Sequence, residues 1–269
     1  MLASAYADIL ERIRAGLDAA GAVFARFTPG EIEAEYKAGH DPVTEADRAL
    51  DAALRQSLLR DGEGWLSEES ADDLSRLEKK RVWIVDPLDG TREFVLGLPE
   101  FCVSICFIEN GKPVAGGIYN PVTRQTFLGA TGAGVFSNGK PARPSQRASL
   151  AGALVLASRS EVKRGKWKQF ENASFKIQAM GSVAYKLALV SAGLADATFT
   201  LTPKHEWDVA AGAALVAAAG GFVCKPDGSD LRCNQRDPSL PGLLAGGPLL
   251  REELLAAIRR PLVTESGQR

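Results

Sequence analysis

The sequence predicts a mixed protein, α+β in its first half and α/β in its second, and three observations carry that reading. Apolar residues recur every three or four positions along the N-terminus, at Leu2, Tyr6, Ile9, Ile13, Leu17, Ala20, Phe24 and Phe27. Short apolar runs between residues 101 and 137, separated by turn signals such as Asn110-Gly111, read as an antiparallel meander. Beyond residue 146 strand-like and helix-like segments alternate.

The N-terminal helix should end at Thr28-Pro29-Gly30. Ile32, Ala34 and Tyr36 alternate with glutamates as a short half-exposed strand, and the loop 37–43 leads to a second helix opened by Thr44-Glu45-Ala46-Asp47. On pattern alone Thr44-x-x-Asp47 is a capping box, the acid returning to the cap backbone. Trp65-Leu66 reads as a strand running into Glu68-Glu69-Ser70, followed by a polar loop over 71–80. The meander comprises strands at 101–108, 114–119, 125–130 and 135–137, with Cys102 and Cys106 on one face as core thiols. Gly134-x-x-x-x-Gly139-Lys140 imitates a phosphate loop, but Pro141 stands where Ser or Thr is required and Asn138-Gly139 is a better hairpin turn. The Pro- and Arg-bearing stretch 140–146 is the best internal boundary, dividing the chain into 1–145 and 146–269. Segments at 153–157, 166–170, 175–179, 183–194 and 197–201 follow, then a small-residue helix over 209–219 stopped by Gly220-Gly221. Asp208 stands at the start of that helix, as readily an N-cap as a ligand.

Composition narrows the chemistry. With 269 residues, 45% hydrophobic and 24% charged, the chain can bury one large core or two closely packed ones. A formal net charge of −1 and the lack of a long Lys/Arg run argue against a nucleic acid polymer but leave room for a small anionic substrate. Asp8 and Glu11 interrupt the N-terminal apolar residues, so neither a signal peptide nor a membrane span is expected, and the cytoplasm is the expected location. Cys102, Cys106, Cys224 and Cys233 lack C-x-x-C spacing and read as reduced thiols. Two histidines, His40 and His205, leave little for zinc or a Ser-His-Asp scheme. Carboxylates must do most of the chemistry.

The central stretch is Val82-Trp83-Ile84-Val85-Asp86-Pro87-Leu88-Asp89-Gly90-Thr91-Arg92-Glu93-Phe94. An apolar strand ends at Asp86 before Pro87, Asp89-Gly90 turns, and Thr91 caps a short helix through Phe94 and Leu96 whose free N–H groups suit a phosphate. Two carboxylates beside a phosphate pocket repel each other and the substrate unless cations intervene. Oxygen ligands favour Mg²⁺ or Mn²⁺.

Thr44-x-x-Asp47, Glu68-Glu69-Ser70, Asp86-Pro87-Leu88-Asp89-Gly90-Thr91 and Trp207-Asp208-x-Ala210-Ala211-Gly212, with Ala219-Gly220-Gly221 beyond, strongly resemble the inositol monophosphatase superfamily in order and spacing. The resemblance implies a layered α/β/α/β/α sandwich, a homodimer, and Mg²⁺-dependent hydrolysis of a small phosphorylated metabolite. It makes Glu68, Asp86 and the Leu88 carbonyl ligands of one Mg²⁺, and Asp86, Asp89 and Asp208 ligands of a second, with two or three ions per site. Gly90 and Thr91 would bind the phosphate through backbone N–H groups. Thr91, paired with Asp47, would orient and deprotonate the attacking water, with Glu68 also in the catalytic set and Glu69 outside it. Inositol-specific members carry a glutamate seven residues before the last metal-binding Asp, a position that is Leu201 here. Asp89-Gly90-Thr91-Arg92-Glu93-Phe94, Ser158-Arg159-Ser160 and Thr202-Pro203-Lys204-His205-Glu206-Trp207-Asp208 look instead like the 3′(2′),5′-bisphosphate nucleotidase branch. On that resemblance Lys204 and Arg159 pair with a second phosphate. The alternatives are an inositol-1-phosphatase or other sugar phosphatase, and a non-catalytic metal-binding regulatory protein of the same fold.

Overall fold

The computed structural model describes residues 5–36 and 42–259. His40, most of the 37–43 loop and the tail after Pro261 lie outside the described residues. In chain order come α1 (Ala7–Phe24), β1 (Glu35–Tyr36), β2 (Pro42–Val43), α2 (Glu45–Leu58), β3 (Gly64–Ser67), β4 (Arg81–Asp89) and α3 (Thr91–Val95). The meander is β5 (Cys102–Glu109), β6 (Lys112–Asn120), β7 (Gln125–Ala130), β8 (Gly134–Ser137) and β9 (Lys140–Ala142). Then follow β10 (Leu154–Ser158), α4 (Arg159–Lys163), β11 (Lys176–Met180), α5 (Val183–Ser191), β12 (Ala197–Phe199), β13 (Lys204–His205) and α6 (Glu206–Ala218). The last elements are β14 (Phe222–Cys224), β15 (Ser239–Leu240), β16 (Leu244–Gly246) and α7 (Arg251–Arg259).

Strands β3 to β9 form a seven-stranded sheet in sequence order, antiparallel except for the parallel β3/β4 pair. The second sheet has the order β11-β10-β12-β16-β14, parallel over β11-β10-β12 and antiparallel beyond. In β4, consecutive side chains serve opposite cores: Trp83 and Val85 pack with α1 and α2, Val82 and Ile84 with α5 and α6. Helices α5 and α6 lie between the sheets, and α7 covers the outer face of the smaller one with Leu254 and Leu255. The layers are therefore α/β/α/β/α. Among the described residues no helix is long and apolar enough to cross a membrane, and all four cysteines are free thiols in the core.

Several details correct or extend the sequence reading. Pro87 does not end its strand: pairing with β5 continues from Asp86↔Ser104 to Asp89↔Cys102 across a bulge. The extra residue resets the alternation, so that Asp86 and Asp89, three apart, both reach the same cavity. Residues 140–142 belong to the first sheet as β9, and Ser158-Arg159-Ser160 caps and opens a helix, with Ser158 Oγ accepting from Glu161 N–H. The 71–80 loop is tied down by Arg76, whose buried guanidinium donates to Asp72, to Asn234 Oδ1 (2.7 Å) and to the Gln235 carbonyl (2.9 Å).

Strand β6 sets the spacing of three layers. A Cβ on Gly116 would stand 2.5 Å from the Ala211 carbonyl of α6, and one on the adjacent Gly117 would stand 2.2 Å from Ile13 of α1. Neighbouring strand residues face opposite ways, so two bare positions admit one helix to each face. Gly116→Ala must push α6 off the sheet and should lower unfolding free energy by about 1–3 kcal/mol, read from urea denaturation midpoints. An unchanged midpoint would contradict this packing.

Candidate active site

A cavity of about 480 Å³ opens where β4, α3, α5 and the N-terminus of α6 meet, and Glu68, Asp86, Leu88, Asp89, Gly90, Thr91 and Asp208 all line it. Glu68, Asp86 and Asp208, from three distant segments, bring carboxylate oxygens within 4.8 Å of one another. Asp89 lies outside that cluster. Its Oδ2 accepts from Ser182 Oγ and from Ala184 N–H, both at 2.6 Å, at the start of α5. The helix end stabilises this anion.

Asp47 both caps its helix and meets Thr91. Its Oδ2 accepts from Thr44 N–H (2.7 Å) and Thr44 Oγ1 (2.6 Å), completing the capping box of α2, while its Oδ1 faces Thr91 Oγ1 at 3.0 Å. Thr91 Oγ1 is also 3.0 Å from the Leu88 carbonyl, so its single proton serves one acceptor at a time. Asp208 is the third residue of α6 rather than its cap; its Oδ2 accepts from His205 N–H at 2.9 Å. In both helices one carboxylate is anchored on the cap; Asp208 is delivered to the cavity wall, and Asp47 stands behind it on Thr91.

Gly90 adopts φ +100°, and a Cβ there would lie 2.8 Å from the Glu100 carbonyl, so the turn from β4 into α3 requires glycine.

The substrate-contact residues fare differently. Lys204 lines the cavity, its ammonium 3.2 Å from Thr202 Oγ1 and 3.8 Å from the buried Glu161. Arg159 lines it too, but its guanidinium is spent on Glu100 (Nε to Oε2, 3.2 Å). Leu201 does not line the cavity: it packs against the outer core, its N–H donating to Glu161 at 3.1 Å. The backbone turns inward only at Pro203.

Two residues that sequence reasoning missed hold the carboxylates in place. Lys186, buried on α5, donates to the carbonyls of Gly181 (3.1 Å) and Ser182 (2.7 Å). Burial lowers its pKa to about 8 against the opposing pull of Asp89. A lone lysine within the apolar run 183–190 was the available signal. Asp51, one turn beyond Asp47, accepts from Ser67 Oγ (2.6 Å) and Ser70 Oγ (2.5 Å), clamping the turn that carries Glu68.

Electrostatics in the cavity disfavour four ionised carboxylates without a counter-charge. Burial, then Glu68, Asp89 and Asp208, hold the Asp86 carboxyl well above the usual range. Burial and then Asp89 push Asp208 up to about 8. Clustered, desolvated oxygen donors fit a hard divalent cation, which would relieve this repulsion.

A model of the inositol monophosphatase family matches residues 7–263, and the chain belongs to that family of metal-dependent phosphomonoesterases, which act on small phosphorylated substrates. Inositol monophosphatase 3 of Solanum lycopersicum is 36% identical over 215 residues, 75% of this chain and 80% of its own. The structure of extragenic suppressor protein suhB from Bartonella henselae superposes with a TM-score of 0.81 at 29% identity, covering 94% of this chain and 99% of its own. CysQ from Bacteroides thetaiotaomicron, a bacterial member of the family, gives a TM-score of 0.76 at 27% identity, covering 91% and 98%.

Two outcomes follow. Asp51→Ala frees the Glu68 turn and should raise the Mg²⁺ concentration for half-maximal activity about 10- to 100-fold; an unchanged Mg²⁺ requirement would show the clamp to be irrelevant. Carboxyl pKa values raised in the fold mean that the metal-free protein binds more protons folded than unfolded, so stability falls as pH rises. For Asp208 the window runs from the ordinary 3.8 to about 8. The gain in Tm on adding Mg²⁺ to chelator-treated protein should therefore grow between about pH 5 and pH 8, and a gain that shrinks with pH would refute it.

Proposed function

We propose that the protein is a 3′(2′),5′-bisphosphate nucleotidase, converting 3′-phosphoadenosine 5′-phosphate to AMP with Mg²⁺, two or three ions per site, or Mn²⁺ in its place. Glu68, Asp86 and the Leu88 carbonyl would hold one ion, and Asp86, Asp89 and Asp208 a second. Bound there, the cations supply positive charge that activates water and offsets charge on the leaving oxygen.

The chain's own groups position and move protons. Backbone N–H groups of Gly90 and Thr91 hold the phosphate at the head of α3. Thr91 Oγ1 takes its orientation from Asp47 Oδ1, 3.0 Å away. It aligns the attacking water and relays its proton to Asp47, with Glu68 on the same wall. Burial raises the Asp47 pKa, and that makes its carboxylate a stronger base.

The observation that carries the nucleotide reading is the wall beside Asp208. Lys204 lines it together with His205 and Trp207, whose rings stack 4.5 Å apart at 12°. A cation beside a flat aromatic surface suits a second phosphate next to a nucleobase. Because Arg159 is engaged by Glu100, the second phosphate falls to Lys204. On the same reading the enzyme works as a cytoplasmic homodimer. The chain divides after residue 145, consistent with one large sheet ending at Ala142 and the other starting at Leu154.

Inositol 1-phosphate is the second candidate, favoured by the name of the 36% identical tomato relative. Steady-state turnover of both compounds with Mg²⁺ separates them. The expected result is a kcat/KM at least about 10-fold higher for the adenosine bisphosphate, and a preference for inositol 1-phosphate would overturn the reading. Release of phosphate from neither would point to a metal-binding protein without turnover.

A further inference from the structure

The cavity holds a carboxylate that the hydrolytic scheme does not use. Glu93 lies on α3, two residues beyond Thr91, and lines the same cavity with its side chain 13% exposed. It stands outside the Glu68, Asp86, Asp208 cluster. The Arg159 Nε is 3.9 Å from Glu93 Oε1 and donates instead to Glu100 at 3.2 Å. Glu93 is thus a largely desolvated carboxylate that faces Arg159 across 3.9 Å, while the shorter hydrogen bond from that guanidinium goes to Glu100.

The surroundings are built around this side chain. A Cβ on Gly181 would lie 2.3 Å from the Glu93 carboxyl carbon and 2.6 Å from Oε1, so the carboxylate fits only because residue 181 has no side chain. The Gly181 N–H does not serve Glu93; it donates to Glu100 at 2.7 Å. Ser158 and Ser160 line the same region of cavity wall, with their hydroxyls 3.1 Å apart. A partly desolvated carboxylate gains most from a donor that replaces lost water. Glu93 lines the same cavity as Gly90 and Thr91, the proposed phosphate holders, so a donor that reaches it belongs to the group attached to the phosphate.

We infer that Glu93 is a specificity-determining residue, accepting a hydrogen bond from a hydroxyl or amine on the leaving group. The inference rests on the phosphatase reading and selects a substrate class: phosphomonoesters of polar leaving groups that carry hydrogen-bond donors, over those of apolar alcohols and phenols. Glu93 moves no proton in hydrolysis. Its contribution is to bind one leaving group better than another.

The test compares kcat/KM for 3′-phosphoadenosine 5′-phosphate and inositol 1-phosphate, both rich in donors, with that for p-nitrophenyl phosphate, whose leaving group has none. In Glu93→Ala the ratio of the better donor-bearing substrate to p-nitrophenyl phosphate should fall about 10-fold or more. Gly181→Ala, which displaces the carboxylate without removing it, should shift the ratio the same way and serves if the first variant fails to fold. Calorimetric titration of metal-free protein with Mg²⁺ should give the same affinity in both variants as in the parent. A ratio unchanged within about twofold, even if every rate falls together, would overturn the assignment, as would a loss of Mg²⁺ affinity large enough to account for the effect. Failure of the parent protein to release phosphate from all three compounds would instead defeat the phosphatase reading itself.

Discussion

Mutual repulsion among carboxylates governs this molecule. Glu68, Asp86 and Asp208 crowd into one partly desolvated wall, with Asp89 beside them. Left to itself such a group would spread apart or protonate. Much of the surrounding hydrogen bonding opposes that outcome: the Asp51 clamp on the Glu68 turn, the α5 terminus on Asp89, and Lys186 beneath the same loop. The fold gathers mutually repelling carboxylates at the place where a bound cation would relieve the repulsion.

Helix starts are the economical part of the construction. Asp47 and Asp208 each stand third in their helix and each accepts from the cap residue's N–H. Capping is among the most local of interactions, settled within one turn. Using it to aim a carboxylate means that the aim is fixed as soon as the helix forms, before distant segments arrive. Asp86 is held locally too, its Oδ1 accepting from Leu88 N–H at 3.0 Å.

What the sequence made legible follows this division between local and distant. The layering was implied by the family resemblance, whereas the succession of helices and strands, the β4-to-α3 turn and the two helix-start acids were readable because their signals sit within a few residues of the feature. The continuation of β4 past Pro87 was not, because a bulge is defined by the partner strand, and Asp86↔Ser104 against Asp89↔Cys102 is information held by β5. Asp51 was missed for the same reason, since the serines it clamps lie 16 and 19 residues away in a turn whose approach no periodicity encodes; Lys186 differs, its partner lying only 4 residues back and its signal being a lone lysine in an apolar run. Arg159 reaches the cavity that its motif suggested, but it does so paired with Glu100, a partner 59 residues away that no local signal announces.

The paired glycines of β6 have a consequence for the order in which the protein is made. Gly117 is covered by Ile13, synthesised a hundred residues earlier, whereas Gly116 faces Ala211, synthesised almost a hundred residues later. A nascent chain can therefore dress one side of its large sheet as soon as β6 emerges, while the other side presents a bare backbone stripe until α6 follows. Asp208 arrives on that same helix, so closing the exposed stripe and delivering the final carboxylate are a single event, and the chain cannot assemble its complete acidic cluster while the sheet is still open.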